Sequence, residues 1–296
     1  MQVSEAYGHG KFGLSFELYP PKTAESEAAL FEHLDELMAF SPSFVTCTYG
    51  AGGSTREKTL DIVTQTRQRY GCTVATHLTC VGATVPQLRA YLADAWSRGV
   101  ENVVALRGDP PKGDAEFRPV EGGFRHANEL VSLIRGEFPQ FGIAVAGYPE
   151  THQEAPNAEI DLENLKRKVD AGGQVVITQL FFDNADLLRF RDRCERIGIG
   201  APIVPGILPV TNLAQIRRIA SLCKARLPEP FHAALARAGD DAAAQFEVGV
   251  EFATRQVREL IAAGVPGLHF YVLNKSPAAV RVLQAAGLRG SGADYA

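Results

Sequence analysis

The chain has 296 residues, of which 46% are hydrophobic, so it can bury a large core, and its length suits one α/β barrel of ~250 residues as well as two small domains. A net charge of -4 and a pI near 6.0 exclude a broad basic surface of the kind that holds nucleic acid or an anionic membrane. Five cysteines (Cys47, Cys72, Cys80, Cys194 and Cys223) with no CxxC pair argue against a disulfide framework or a structural zinc site and point to a reducing compartment. The opening MQVSEAYGHGKFG lacks a signal-peptide core, and no apolar stretch reaches the ~20 residues that span a bilayer, so a soluble cytoplasmic protein is expected.

Eight short runs rich in β-branched and aromatic residues are predicted strands: GLSFELY (13–19), FVTCTYG (44–50), TVATHLTC (73–80), NVVALRG (102–108), IAVAGYP (143–149), VVITQLFF (175–182), PIVPGIL (202–208) and LHFYVLN (268–274). Helical spacing fills the gaps between them. Thr23 leads into a stretch with Leu30, Leu34 and Leu37, and Ser54-Thr55 into one with Leu60 and Val63. The segment 161–173 carries a Leu162, Leu165, Val169 stripe and stops at Gly172-Gly173; further helices precede Gly99, Gly198, Gly264 and Gly287. Two connections are long: Pro110 to Gly123, a possible lid, and Lys224 to Gln245, expected to hold an extra helix. The core is expected from about residue 13 to 287, with a frayed tail from Gly290.

Eight successive β-then-α units with strands apolar on both faces predict a (β/α)8 TIM barrel in a single domain. A doubly wound open sheet is the alternative; the count of eight and the lack of G-x-G-x-x-G after the first strand stand against it. In such a barrel the reacting groups lie at the C-terminal ends of the strands. Those ends carry Glu17; Thr48 and Tyr49; His77 and Thr79; Arg107 and Asp109; Tyr148 and His152; Gln179; Tyr271 and Asn274, while the seventh strand offers only Pro209 and Thr211. Glu17 leads the set, because a carboxylate ending an apolar run is costly to desolvate unless it is paired or used. The histidines lack neighbouring ligands for a metal, no G-x-S-x-G elbow is present and no strand-end lysine suggests a Schiff base. On the helix at 161–173, Asp161, Asn164, Arg167 and Lys168 fall at spacings that put most of them on one polar side, away from the leucines. A solvated charged face is the plain reading; with Arg107 and the Gly50-Ala-Gly-Gly53 turn they also make a grip for a diphosphate, Asp161 holding a ribose hydroxyl.

The motifs SFELYPPK (15–22), TYGAGGST (48–55), HLTC (77–80), ALRGDPP (105–111), AGYPETH (146–152), NLKRKVDAG (164–172), ITQLFFD (177–183), PGILPV (205–210) and HFYVLN (269–274) together resemble the methylenetetrahydrofolate reductase family, in family order from about Gly13 to Gly287. The resemblance implies a (β/α)8 barrel with FAD at its C-terminal rim. It implies hydride transfer from NADH or NADPH to FAD and then to 5,10-methylenetetrahydrofolate, giving 5-methyltetrahydrofolate by ping-pong kinetics. Glu17 matches the general acid that protonates the bridging nitrogen, a role suited to a raised pKa; Asp109 matches the acidic residue near pterin and flavin, and Gln179 an amide that hydrogen-bonds folate. Thr48, His77, Arg107, Gly108, Tyr148, His152, Asp161, Asn164, Arg167 and Lys168 match flavin-binding positions, and Tyr271 a substrate-side aromatic. Ile219 stands where the family has a stacking phenylalanine and Lys275 where arginine is common. A regulatory domain like that of the larger relatives is not expected in this length, and a homo-oligomer is compatible with the resemblance. A folate-using barrel that transfers a one-carbon group without redox chemistry, and a non-catalytic flavin or folate binder, are the alternatives.

Overall fold

A computed structural model describes residues 1–7, 11–49, 55–110 and 117–288; the expected Gly50–Gly53 turn, residues 111–116 of the 110–123 connection and the tail from 289 lie outside the described residues. All sheet pairing is parallel. Strands β1 (Gly13–Leu18), β2 (Phe44–Cys47), β3 (Val74–Thr79), β4 (Asn102–Leu106), β5 (Gly142–Gly147) and β6 (Val175–Thr178) follow one another around the sheet, and the last strand, β9 (Gly267–Tyr271), lies beside β1.

The seventh predicted strand differs from expectation. It is cut in two: β7 (Ile203–Val204) pairs with β6, and β8 (Gly206–Ile207) pairs with β9. Pro205 is the cause, since it has no N–H to give to a ladder and so marks a break in a central strand. Its carbonyl still accepts from His269 N at 3.0 Å, while Gly206 N donates to the Thr178 side chain at 2.9 Å rather than to a strand carbonyl. Chain continuity through Pro205 closes the sheet into the barrel.

Helices α1 (Ala24–Met38), α2 (Arg56–Tyr70), α3 (Val85–Ser97), α4 (Ala127–Glu137), α5 (Ala158–Asp170) and α6 (Asn184–Arg196) each follow a strand. Between β8 and β9 come α7 (Leu213–Cys223), α8 (Glu229–Arg237) and α9 (Ala242–Ala262), with α8 supplying the extra helix; α10 (Pro277–Ala285) ends the fold. Side chains fix several starts by accepting from otherwise unpaired backbone N–H groups: Thr23 for α1, Asn157 for α5, Asp183 for α6, Asn212 for α7 and Asp241 for α9.

Strand alternation divides the core into shells. Leu14, Phe16, Leu18, Val45, Cys47 and Val103 face the helices, whereas Phe44, Ala75, Val104, Ala144, Val175 and Val204 fill the barrel axis. A 3-10 turn at Val3–Ala6 closes the N-terminal end, with Val3, Ala6 and Tyr7 packed into the axial cluster and Val3 N bonded to Asn102 Oδ1 at 2.8 Å. At the opposite end Leu180, Phe182, Leu208, Val210 and Ile216 form a third cluster with residues of α8, walling one side of the mouth.

Candidate active site

Glu17 sits two residues beyond Ser15 on β1, so both project into the axis, and its register partners are Thr46 on β2 and Tyr271 on β9. Its side chain is 16% exposed and Oε2 lies 3.3 Å from His77 Nε2 and 3.4 Å from His269 Nε2. The His269 contact has hydrogen-bond geometry. The His77 contact does not, and His77 Nε2 is buried without a hydrogen-bond partner among the described residues. Burial pushes the Glu17 carboxyl upward, but the charge of a protonated His77 and the hydrogen bond from His269 outweigh it, and the group titrates below the usual carboxylate value, at about 2. The expectation of a raised pKa is therefore corrected: two imidazoles, not an apolar lining, surround the carboxylate. The lowering belongs to their protonated forms; with both imidazoles neutral, burial has much less to oppose it.

His269 carries none of the roles read from the strand ends. It is fully buried in the middle of β9, one alternation before Tyr271. Strand parity was the available signal: Tyr271 and His269 share a face, and any strand-end residue that reaches the mouth has a deeper neighbour two positions back.

Tyr271 places its ring edge-on to His269, with centroids 5.1 Å apart, and its hydroxyl donates to Thr178 O at 2.7 Å. The phenol thus straps β9 to β6 across the split strand. Gly206 leaves room for it, since a Cβ there would lie 2.3 Å from Thr178 O and 2.6 Å from the Tyr271 ring. Gln179 is half-buried just past β6; its Oε1 accepts from Leu180 N at 2.9 Å, and its amide NH2 has no protein partner among the described residues. Asp109 is exposed, yet close enough that its charge adds to burial in raising the pKa of both Tyr148 and Cys223. Burial first, then Glu17, Tyr148 and Cys223, raise that of Tyr271; Glu17 near the end of β1 and Asp109 just past β4 lie at the same, C-terminal end of the parallel sheet.

A cationic cluster occupies the other side. Arg107 makes a two-pronged pair with Glu154 at 2.5 and 2.6 Å and lies 4.9 Å from the Phe117 ring centre. Lys168 donates to Ala146 O at 2.5 Å, and burial, opposed by Asp161, pushes its pKa down to about 8. Asp161 accepts from His152 N at 2.9 Å, and the His152 ring packs edge-on against Tyr148 with centroids 4.6 Å apart. Burial lowers the His152 pKa, with Arg107 adding to the effect. Gly108 turns the chain here at φ +88, where a Cβ would strike Val81, and beside it Thr79 Oγ1 is buried without a hydrogen-bond partner among the described residues.

The sequence grouping is only partly reproduced. At about 100° per residue, Asp161 and Lys168 come within about 20° of each other on α5, whereas Arg167 lies about 120° round. Arg167 is accordingly exposed, and Asn164 is exposed as well although it lies only about 40° from Lys168; Arg167 bonds Asn164 Oδ1 at 2.9 Å and lies 3.8 Å from Glu163. Thr48 is half-buried above β2, its N bonded to Leu18 O at 2.8 Å. Ile219 is half-buried against the rim cluster, and Lys275 is exposed. Among the described residues no group of three or more His, Cys, Asp or Glu could hold a metal ion.

The methylenetetrahydrofolate reductase family model matches residues 2–287. The chain is 41% identical over 289 residues to the 5,10-methylenetetrahydrofolate reductase of Escherichia coli (strain K12), covering 98% of this chain and 95% of that one. It is also 41% identical over 297 residues to methylenetetrahydrofolate reductase (NADH) 1 of Zea mays, and there the match covers 97% of this chain but 50% of the relative; the chain thus spans about half the length of such plant relatives. Among solved structures, an uncharacterized Clostridium thermocellum protein titled as binding two copies of 5-methyl-5,6,7,8-tetrahydrofolic acid shares the fold, with TM-score 0.60 and 11% identity over 93% of this chain and 94% of that one. On the family match and on identity to the bacterial enzyme along nearly its whole length, this chain belongs to the methylenetetrahydrofolate reductase family.

Proposed function

We propose that the protein reduces 5,10-methylenetetrahydrofolate to 5-methyltetrahydrofolate with electrons from a nicotinamide, through FAD held at the barrel mouth. The observation that carries this reading is the placement of Glu17, enclosed with His77 and His269 on the axis of a mouth whose other side is cationic. The residues fit a flavin nucleotide. Arg107, His152 and Lys168 would face its diphosphate, Asp161 a ribose hydroxyl, and the buried Thr79 Oγ1 and His77 Nε2, both lacking partners among the described residues, supply hydrogen-bonding groups beside the tight Gly108 turn. Thr48, Tyr148, Asn164 and Arg167 complete the proposed cofactor set. Bound there, the isoalloxazine would accept hydride from the nicotinamide and give it to the folate in turn, the ping-pong order. The names of the plant relatives favour NADH as the donor.

The chain's own part is proton handling and positioning. In the open mouth the two imidazoles beside it hold the Glu17 carboxyl low, at about 2, so it rests as a carboxylate. When folate covers the mouth, water leaves and the neutral pair gains over the ion pair, so the proton passes from imidazole to Glu17 Oε2. From there it is given to the bridging nitrogen of the folate, opening the five-membered ring to an iminium that can take hydride. Asp109 would contact the pterin, Gln179 would use its spare amide hydrogens on it, and Tyr271, Ile219 and Lys275 would line the folate side.

The test is the visible spectrum of the purified protein under anaerobic conditions. A flavin spectrum that fades on adding NADH or NADPH and returns with methylenetetrahydrofolate is expected. A protein that cannot take up FAD, yet transfers a one-carbon unit from folate, would replace this reading with the non-redox alternative.

A further inference from the structure

Beneath Glu17 a line of buried polar groups runs to the barrel floor. Tyr7 Oη lies 2.8 Å from Ser15 Oγ, Ser15 Oγ lies 2.8 Å from His269 Nδ1, and His269 Nε2 lies 3.4 Å from Glu17 Oε2. Tyr7 is 2% exposed, and Ser15 and His269 are 0% exposed. The slot for the Tyr7 ring is built by two paired glycines at the starts of β1 and β9. A Cβ on Gly13 would lie 2.4 Å from the ring and one on Gly267 2.7 Å from it, and the two residues are register partners. Deep in the floor the phenol has no acceptor other than Ser15 among the described residues, so its hydrogen points to Ser15 Oγ. Ser15 then has one hydrogen to give, and His269 Nδ1 at 2.8 Å is nearer than Leu268 O at 3.4 Å. Nδ1 is thereby the acceptor, and the imidazole proton sits on Nε2, facing Glu17. When His269 takes a second proton, Ser15 can turn its hydroxyl to Leu268 O and accept from both neighbours, so neither state leaves a buried group unpaired.

We infer that Tyr7 and Ser15 are positioning residues that hold His269 with its proton on Nε2, and through it set how readily Glu17 binds and releases its proton. The inference rests on the acid role proposed for Glu17. The other titratable groups facing Glu17 are His77 on β3 and Tyr271 on β9, while Cys47 on β2 is turned to the helices but close enough to feel its charge; Phe44 stacks on the imidazole of His269, with ring centroids 6.4 Å apart, and adds no charge.

The experiment uses the full chain with its flavin and reads two quantities. Nitrogen NMR of 15N-histidine-labelled protein, with His269 assigned from the spectrum of His269→Gln, reports the tautomer. Rapid mixing of reduced enzyme with methylenetetrahydrofolate across a pH series reports the limb set by Glu17. Neutral His269 is expected to carry its proton on Nε2 in the unaltered protein and to lose that preference in Tyr7→Phe and Ser15→Ala. Without the Nε2–H donor the carboxylate is less favoured, so the limb moves to higher pH by about one unit. Ser15→Thr, which keeps the hydroxyl, restores both. Tyr7→Phe keeps the ring in its slot, and a cooperative melt checks its fold. A tautomer unchanged in both Tyr7→Phe and Ser15→Ala overturns the inference whatever the kinetics. A tautomer that shifts while the limb stays put overturns the link to Glu17, and Glu17→Gln in the same assay separates causes: surviving folate reduction means the acid role itself is wrong, and its loss means that only the link through His269 is.

Discussion

The two sides of the barrel mouth are built on opposite electrostatic plans. On the β1, β3 and β9 side a single carboxylate is surrounded by two imidazoles, one of which has no hydrogen-bond partner among the described residues. On the β4, β5 and α5 side the cations already have internal partners: Arg107 holds Glu154, and Lys168 holds a backbone carbonyl. The first arrangement sets two imidazoles within 3.4 Å of one carboxylate oxygen, which suits proton transfer. The second keeps charge concentrated and oriented, and an arriving anion need only displace the half-exposed Glu154, whose side chain is 39% exposed. On the proposed reading, proton transfer and cofactor retention are therefore separable by mutation.

The largest expected effect falls on the carboxylate side. Glu17→Gln removes the acid and should slow oxidation of the reduced enzyme by methylenetetrahydrofolate by about 10²–10⁴-fold, while reduction by the nicotinamide, followed in the same stopped-flow instrument, changes little. Collapse of both half-reactions together would merge the two sides. Lys168→Met strikes the cation side. It should weaken FAD binding about ten- to a hundredfold, the value of a charged hydrogen bond, measured by flavin fluorescence, with the rate of the folate step in saturating FAD preserved. The sign of its pH dependence follows from the free-protein pKa of about 8: an anionic ligand favours the charged amine, so affinity is flat below that pH and falls as pH rises through it. The variant should lack that fall. Smallest is Ile219→Phe on the wall between them, where an added stacking contact of about 1 kcal/mol should tighten substrate binding about fivefold, read as KM for folate at unchanged FAD affinity.

Most of the barrel was legible because parallel strands buried on both faces leave long apolar runs, and each predicted run does form sheet. The C-terminal limits were read too long, and for the sixth and seventh runs the reason is packing. Leu180, Phe182 and Leu208 are apolar because they pack in the rim cluster under α7–α9, not because they belong to a ladder. A pattern of burial cannot distinguish the two. Pro205 did announce the interruption of the seventh strand, but only coordinates show that its halves pair with different neighbours. At the site, strand ends led to Glu17, His77 and Tyr271, whereas His269 and Ser15 lie one alternation deeper and call for register as well as position. On α5 the helical rotation turns Arg167 by about 100° or more from Asp161 and Lys168, while Asn164, about 40° from Lys168, differs from them in exposure rather than in rotation.

The cut stave at Pro205 has a mechanical meaning. A cylinder whose hoops are otherwise continuous has there a seam, stitched by the Thr178 hydroxyl and by the phenol of Tyr271 rather than by a run of main-chain bonds. Deformation will collect at that seam, and any widening tugs on a ring that packs edge-on against His269, the neighbour of Glu17. The wall that holds the barrel shut is thus also the wall through which its mouth can feel strain.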